Sequence, residues 1–328
     1  MGKAGVGTAS ELIGRFAAEI DDRRMFYGLL ASATVLAAIV QPFASGLVVT
    51  TLYFIFMYVA LAQAWNYISG YTGYGTFGPH AFIGLGAYAL GAQVVYLDVS
   101  WPVALVGVAI VAVVVGAVLG VILLRISGIY FAIATLLVAE GMRLGFLAET
   151  TYMQGSIGLT IVRLSSIEVY ALFGVLALAS TIIAYETATS EFGLRLMAIR
   201  EDEQALRTLG VNPLRYKLPA FVIHAVITSL AGAVYALSLG FLFPDTFFSI
   251  DLTITILLIV ILGGISTVWG PVIGALLLIP LQEGLRLEFP DLHVLIFGVA
   301  LVALVIYLPG GVMSKVKSAV EKRHSRGM

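Results

Sequence analysis

The sequence contains no cysteine and very little charge: of 328 residues, 18 are Lys or Arg and 19 are Asp or Glu, 11% in all. Without cysteine there are no disulfides, thiolate metal sites or thiol nucleophiles, although this names no compartment. So few charges cannot clothe an ordinary soluble domain, in which about a quarter of residues are charged. Several catalytic signatures are also missing. There is no G-x-x-x-x-G-K-[ST] phosphate loop, no G-x-S-x-G elbow and no His-Glu-x-x-His zinc pattern. His80 and His224 have no His, Asp or Cys at ligand spacing, so no metal site and no catalytic residue is assigned. A net charge of -1 gives no general attraction to nucleic acid. If ATP drives this protein, another chain must bind it.

What is present is apolar. Hydrophobic residues make up 60% of the chain and the mean hydropathy is +1.03, which marks an integral membrane protein. Crossing about 30 Å of hydrocarbon takes roughly 20 apolar residues whose backbone groups are bonded internally, hence helices. The long unbroken runs exclude a porin-like barrel. Runs near Phe26–Ala44, Leu47–Ser69, Pro79–Leu97, Trp101–Leu124, Gly128–Ala148, Val169–Tyr185, Leu218–Phe243, Leu252–Gly264, Pro271–Leu281 and Leu292–Leu308 give ten segments. The eighth and ninth are short and alternatively form one interrupted hairpin, leaving eight complete spans. The expected fold is therefore an all-α polytopic membrane protein of 8 to 10 segments. Residues 1–25 form a cytoplasmic or interfacial arm, 26–310 the membrane domain and 311–328 a basic cytoplasmic tail. The arm is charged and mixed, so no cleavable signal peptide is expected.

Ten spans put both termini on one side, and the cations say which. Four Lys or Arg lie in the arm, one at Arg125, five in the block Ser190–Lys217 and five in the tail, 15 of the 18; Arg143, Arg163 and Arg286 remain. Both termini are expected in the cytoplasm.

Two Gly-rich stretches interrupt the apolar pattern, Gly70–Gly86 (GYTGYGTFGPHAFIGLG) and Gly263–Gly274 (GGISTVWGPVIG). They share a Thr, one or two bulky residues and Gly-Pro, an echo that fits either two related halves or chance. Gly and Pro disfavour a straight helix. One reading is a broken helix beside a translocation path, with Tyr71, Gly73, Thr76, Phe77, Gly78, His80, Gly263 and Gly264 as path candidates. The other is close helix packing through small residues. Glu140 and Arg143, three residues apart, share a helical face and can pair. Ionisable residues in spans are functional candidates, but a structural ion pair is equally a reading here.

The block Ser190–Lys217 (SEFGLRLMAIREDEQALRTLGVNPLRYK) is the longest polar stretch. Glu203 and Arg207 at i, i+4 support a helix, and Gly210, Asn212 and Pro213 read as its stop. Leu194, Leu196, Met197, Ile199, Leu206 and Leu209 supply apolar contact surface. An amphipathic helix in a cytoplasmic loop can pass motion from a docked partner into the adjoining spans.

Five segments, NYISGYTGYGTFGPHAFIGLGAY from Asn66, GIYFAIATLLVAEGMRL from Gly128, QGSIGL from Gln154, GLRLMAIREDEQALRTLGVNPLRYKLPAF from Gly193 and VILGGISTVWGPVIGA from Val260, occur in the order seen in LivM-like permeases. The chain resembles this family over roughly residues 45–310. The resemblance implies the membrane subunit of a branched-chain amino acid ABC importer in a prokaryotic inner membrane, with lipid around it. It further implies a LivH-like second permease, two ATPase subunits holding ATP and Mg, and an extracytoplasmic binding protein; this chain itself holds no cofactor. Glu203–Gly210 is similar to the coupling element that ABC permeases insert into their ATPases, although only Ala205 and Gly210 match its Glu-Ala-Ala…Gly register. On that resemblance Arg200, Glu201, Asp202, Glu203, Ala205, Leu209 and Gly210 are the expected ATPase contacts. Members read Gly-Gln-x-Ser-x-Gly-His where this chain has Gly73–Pro79 and then His80, one position displaced. The family also includes importers of urea, short amides and aromatic acids, so the cargo stays open among these. A secondary transporter acting alone is a further alternative, and a membrane-embedded enzyme has no catalytic constellation to support it.

Overall fold

The computed structural model of the chain describes residues 46–155 and 157–289, together with positions 23, 26–28, 30–32, 34, 298 and 299. Most of the expected arm, first span, last span and basic tail, and with them the side on which the termini lie, fall outside the described residues.

Long helices account for almost everything described. In chain order they are α1 (Gly46–Trp65), which runs on as a π-turn (Asn66–Gly70), α2 (Pro79–Tyr96), α3 (Trp101–Leu123), α4 (Ile129–Ala148), α5 (Ser166–Ala188), α6 (Glu191–Thr208), α7 (Leu214–Leu239), the single turn α8 (Pro244–Phe247), α9 (Ile250–Gly263) and α10 (Trp269–Glu288). Seven of the helical stretches are long and apolar enough to cross a membrane. Local chemistry sets their ends. Pro79 opens α2 behind Gly78, in the first turn where a missing N–H costs nothing. Ser165 and Glu168 form a reciprocal capping box that starts α5.

Two departures from the sequence reading have plain causes. The fold is not purely helical: β1 (Leu159–Thr160) pairs antiparallel with β2 (Phe241–Leu242), tying the α4–α5 connection to the end of α7. The ninth expected segment is also longer than its apolar run. α10 continues through Gln282, Glu283 and Arg286 to Glu288, with Arg286 and Glu283 paired at 2.9 Å one turn apart. Apolarity marks where a helix meets lipid, whereas backbone bonding decides where it stops.

The core forms around α7, which packs against α2, α3, α1 and α5. Helices α2 and α7 meet at near-backbone contact: a Cβ on Gly86 would land on the Ser229 carbonyl, and one on Gly232 on the Ile83 carbonyl. Outside this centre, α3 exposes Val103, Val106, Ile110, Val114 and Val118, and α4 exposes Ile133, Leu137 and Leu144.

The α2, α4 and α7 C-termini and the α5 N-terminus gather at the end of the bundle that carries the β pair. The three cations left over from the charge count are matched in this half. Arg143 pairs with Asp245 at 2.6 Å, Arg163 donates to the Ser238 carbonyl at 3.1 Å, and Arg286 pairs with Glu283.

Candidate functional site

Both Gly-rich interruptions are helix reversals, and they meet. The chain descends along α1, turns through Tyr71–Gly78 and climbs along α2; it descends along α9, turns through Gly264–Val268 and climbs along α10. At 14 residues α9 rises about 21 Å, less than the hydrocarbon thickness. The threonine of the sequence echo does the same work in each turn. Thr76 Oγ1 accepts from the Gly78 N–H and Thr267 Oγ1 from the Gly270 N–H, both at or just inside the start of the next helix. The turns are joined by Asn66, whose amide donates to the Thr267 carbonyl at 3.0 Å while its oxygen accepts from the Ser266 N–H at 2.8 Å. Gln63 adds a bond to the Val268 carbonyl at 2.7 Å. Within the first turn, Trp65 Nε1 donates to the Thr76 carbonyl and the Thr76 N–H to Ser69.

The polar block reaches this junction. The α6 side chain of Arg200 donates to the Gly70 carbonyl at 3.0 Å and to the Ser266 hydroxyl, so one guanidinium holds both reversals. Gly73 lies under the stem of Arg200; with φ at +75° and Arg200 Cγ 3.0 Å from any Cβ placed there, a larger residue is strained on both counts.

Two residues on, Asp202 leaves helical geometry (φ -157°, ψ 98°), and its carboxylate caps the Gln204 and Ala205 N–H groups at 2.9 Å. The expected coupling helix is thus the short second limb of α6, closed by Gly210 at φ +79°. Its first residue, Glu203, turns inward. The carboxylate takes the Lys217 ammonium at 2.9 and 3.1 Å, the Tyr74 hydroxyl at 2.5 Å and Arg207 at 2.7 Å. Lys217, only 1% exposed, also donates to Tyr74 at 2.8 Å and lies over its ring. Burial pushes the Glu203 carboxyl upward, but hydrogen bonds from Tyr74, Lys217 and Arg207 outweigh this and hold it below the usual carboxylate range. Beside this latch an open pocket of about 370 Å³ lies between Leu124, Arg125 and the segment Gly210–Leu214.

A second polar cluster sits midway along α4. Glu140 lies eleven residues into α4 and eight from its end, about 17 Å and 12 Å from the two termini. Its Oε2 accepts from Arg143 Nε at 2.8 Å, and Arg143 Nη1 reaches Asp245. His80 Nε2 stands 3.9 Å from Glu140 Oε1, while His80 Nδ1 is 2.8 Å from Thr253 Oγ1. Next to it a Cβ on Gly78 would fall 2.8 Å from the Thr135 carbonyl, and the Phe77 N–H donates to Thr135 Oγ1 at 3.1 Å.

With this geometry, comparison with known proteins is decisive. Residues 47–305 match the family model of the permease component of branched-chain amino acid transport systems. The chain belongs to that family. The permease is 28% identical over 294 residues to the high-affinity branched-chain amino acid transport permease LivM of Escherichia coli K12, covering 78% of this chain and 68% of that protein. It is 29% identical over 109 residues to the autoinducer 2 import permease LsrC of Photorhabdus luminescens, 32% of this chain and 33% of that one. It is also 33% identical over 107 residues to the nucleoside ABC transporter permease NupC of Lactococcus lactis, covering 28% of this chain and 34% of that one. No solved structure matches. Family and apolar helices together make the permease a multi-pass protein of the inner membrane and a transport component.

The structure divides the expected site residues of the permease into three groups. Glu201, Ala205, Leu209 and Gly210 are exposed on α6 and the turn after it, and Leu209 is 77% exposed. Arg200, Asp202 and Glu203 instead spend their polar groups within the chain, on the reversals, the second limb of α6 and the latch. Tyr71, Gly73, Thr76, Phe77 and Gly78 line the first reversal, Gly263 and Gly264 open the second, and His80 sits with Glu140 and Arg143. The expected Glu140–Arg143 pair forms. The glycines divide at Pro79: Gly73 and Gly78 lie in the reversal that breaks the helix, whereas Gly84, Gly86 and Gly91 give the close packing of the other reading, against Phe248, Ser229 and the pair Leu159 and Leu242. The sequence reading missed Asn66, Ser266, Tyr74, Asp245 and Thr253. The shared Thr…Gly-Pro was the one sequence signal that could have joined the two turns.

Proposed function

We propose that the permease is the membrane subunit of an ATP-binding cassette importer that moves branched-chain or related small amino acids across the inner membrane. In this reading ATP and Mg are bound by two partner ATPases, a second permease completes the path, and an extracytoplasmic binding protein delivers the cargo. One observation carries the reading: the polar helix α6 is fastened through Arg200 to both helix reversals, while its second limb presents Leu209 and Gly210 outward. A partner that moves the second limb would act on the first reversal through Glu203 and Tyr74, and on both reversals through Arg200 across the bend at Asp202. Similarity to LivM over most of the chain favours an amino-acid cargo.

The test is reconstitution of the permease with its companion subunits in proteoliposomes. L-leucine uptake is expected to need the binding protein and ATP, and to stop when the ATPase subunits are omitted. Uptake by the permease without any nucleotide-hydrolysing partner would sink the proposal. Uptake of urea in place of leucine would keep the machine and replace the cargo.

A further inference from the structure

The cluster around Glu140 has one acceptor left over. Glu140 Oε2 is satisfied by Arg143 Nε and Arg143 Nη1 is held by Asp245, but no donor among the described residues bonds Oε1. Facing it is His80, which is 0% exposed and whose Nε2 has no hydrogen-bond partner. The imidazole cannot turn elsewhere, because Thr253 Oγ1 holds both Nδ1, at 2.8 Å, and the His80 backbone N–H, at 3.3 Å. Two carboxylates against one guanidinium, with the imidazole counted as neutral, leave one negative charge without a counter-ion. The Glu140 side chain is still 35% exposed, on a face whose neighbours are Ile133, Leu137 and Leu144. A carboxylate turned to lipid among such side chains is costly, and ionisable groups within spans face a polar space instead.

We propose that Glu140, backed by His80, is a subsite within the membrane domain for the ammonium group of a zwitterionic amino acid on its way through the importer. The inference rests on the import reading above. An ammonium carries three donors and a full positive charge. Glu140 Oε1 supplies the opposite charge, and His80 Nε2 supplies a lone pair when Nδ1 donates its proton to Thr253. Sugars, urea and neutral amides carry no such charge, so the subsite favours amines over them. Asp245 takes Arg143 Nη1 while Nε bonds Oε2, an arrangement that fixes Glu140 and leaves Oε1 without a hydrogen bond.

The experiment uses the complete importer in proteoliposomes with L-leucine as the probe. Glu140→Gln keeps the shape and removes the charge; leucine uptake is expected to fall about tenfold or more, the scale of a lost charge-assisted hydrogen bond, with all subunits still co-purifying. Glu140→Asp should recover part of the uptake, and Thr253→Val, which frees the imidazole, should lower it severalfold. Wild-type leucine uptake in Glu140→Gln overturns the subsite. So does dispersal of the complex by both Glu140 variants, which would assign the carboxylate to packing, and so does a structure of the assembled importer with a basic side chain of the second permease on Oε1. If the wild-type importer uses ATP but carries no leucine, the import reading itself has failed, an outcome distinct from an indifferent Glu140 variant in a leucine importer.

Discussion

The latch between Glu203 and Lys217 invites a quantitative test because its partners are unequally buried. Lys217 is 1% exposed and Glu203 17%, so removing the carboxylate strands a buried ammonium without its counter-charge. The stranded ammonium keeps only the Tyr74 hydroxyl at 2.8 Å and the Leu124 carbonyl at 3.4 Å, neither of them charged, whereas removing the ammonium leaves a carboxylate that still holds Arg207 and Tyr74. Breaking a fully buried pair costs about 3–5 kcal/mol and a surface pair about 0–1 kcal/mol. The partial exposure of Glu203 and the acceptor retained by an amide place Glu203→Gln at about 2 kcal/mol, and Lys217→Met at about 1 kcal/mol. The double variant should lose less than the sum, with a coupling of about 1–2 kcal/mol. Equilibrium unfolding of the permease in mixed micelles measures all three. Additivity within about 0.5 kcal/mol, or an unchanged Glu203→Gln, would refute the reasoning.

The same cycle has a pH arm. Because the folded-state carboxyl is held below its ordinary 4.5, its contribution is present above that value and is lost as pH falls through the lower, folded one. The gap between wild type and Glu203→Gln should stay constant from pH 8 to pH 5 and close only below pH 4.5.

Arg200→Met removes the one nitrogen, Nη1, that bonds both the Gly70 carbonyl and Ser266; hydrolysis by the assembled importer is expected to continue while leucine uptake falls severalfold, and a proportionate fall in both would count against the link. At the α2–α7 contact, Gly86→Val puts a side chain onto the Ser229 carbonyl, and overpacking on this scale costs about 1–3 kcal/mol, read as loss of folded permease on gel filtration. Asp202→Ala removes the cap of the second limb of α6 at about 1 kcal/mol. The resulting loss should appear as faster hydrogen exchange at Gln204 and Ala205, with the rest of α6 unchanged.

Much of this architecture is legible in the residues because lipid imposes a simple code. Stretches such as Trp101–Leu124 and Val169–Tyr185 had to be helices, since hydrocarbon offers no partner to a backbone N–H. The break before Pro79 and the polarity of Ser190–Lys217 were equally plain. The ends were less so: α10 outruns its apolar stretch because its last turns are held by backbone bonds and an ion pair, which hydropathy does not see. Contacts between distant segments were beyond reach. Asn66 and Ser266 are 200 positions apart and each is unremarkable alone; Asp245 and Thr253 lie more than a hundred positions from the residues they hold.

The sequence by itself determined that this is a helical membrane protein, that two glycine-rich breaks interrupt it and that one polar helix stands apart from the lipid, because each is a local consequence of composition and spacing. Only the tertiary structure decided that the breaks face each other, that Arg200 spans them and that Glu203 points inward to Lys217. Those facts depend on which side chains come within about 3 Å across the bundle, and the packing of α1, α2, α7 and α9 sets those distances.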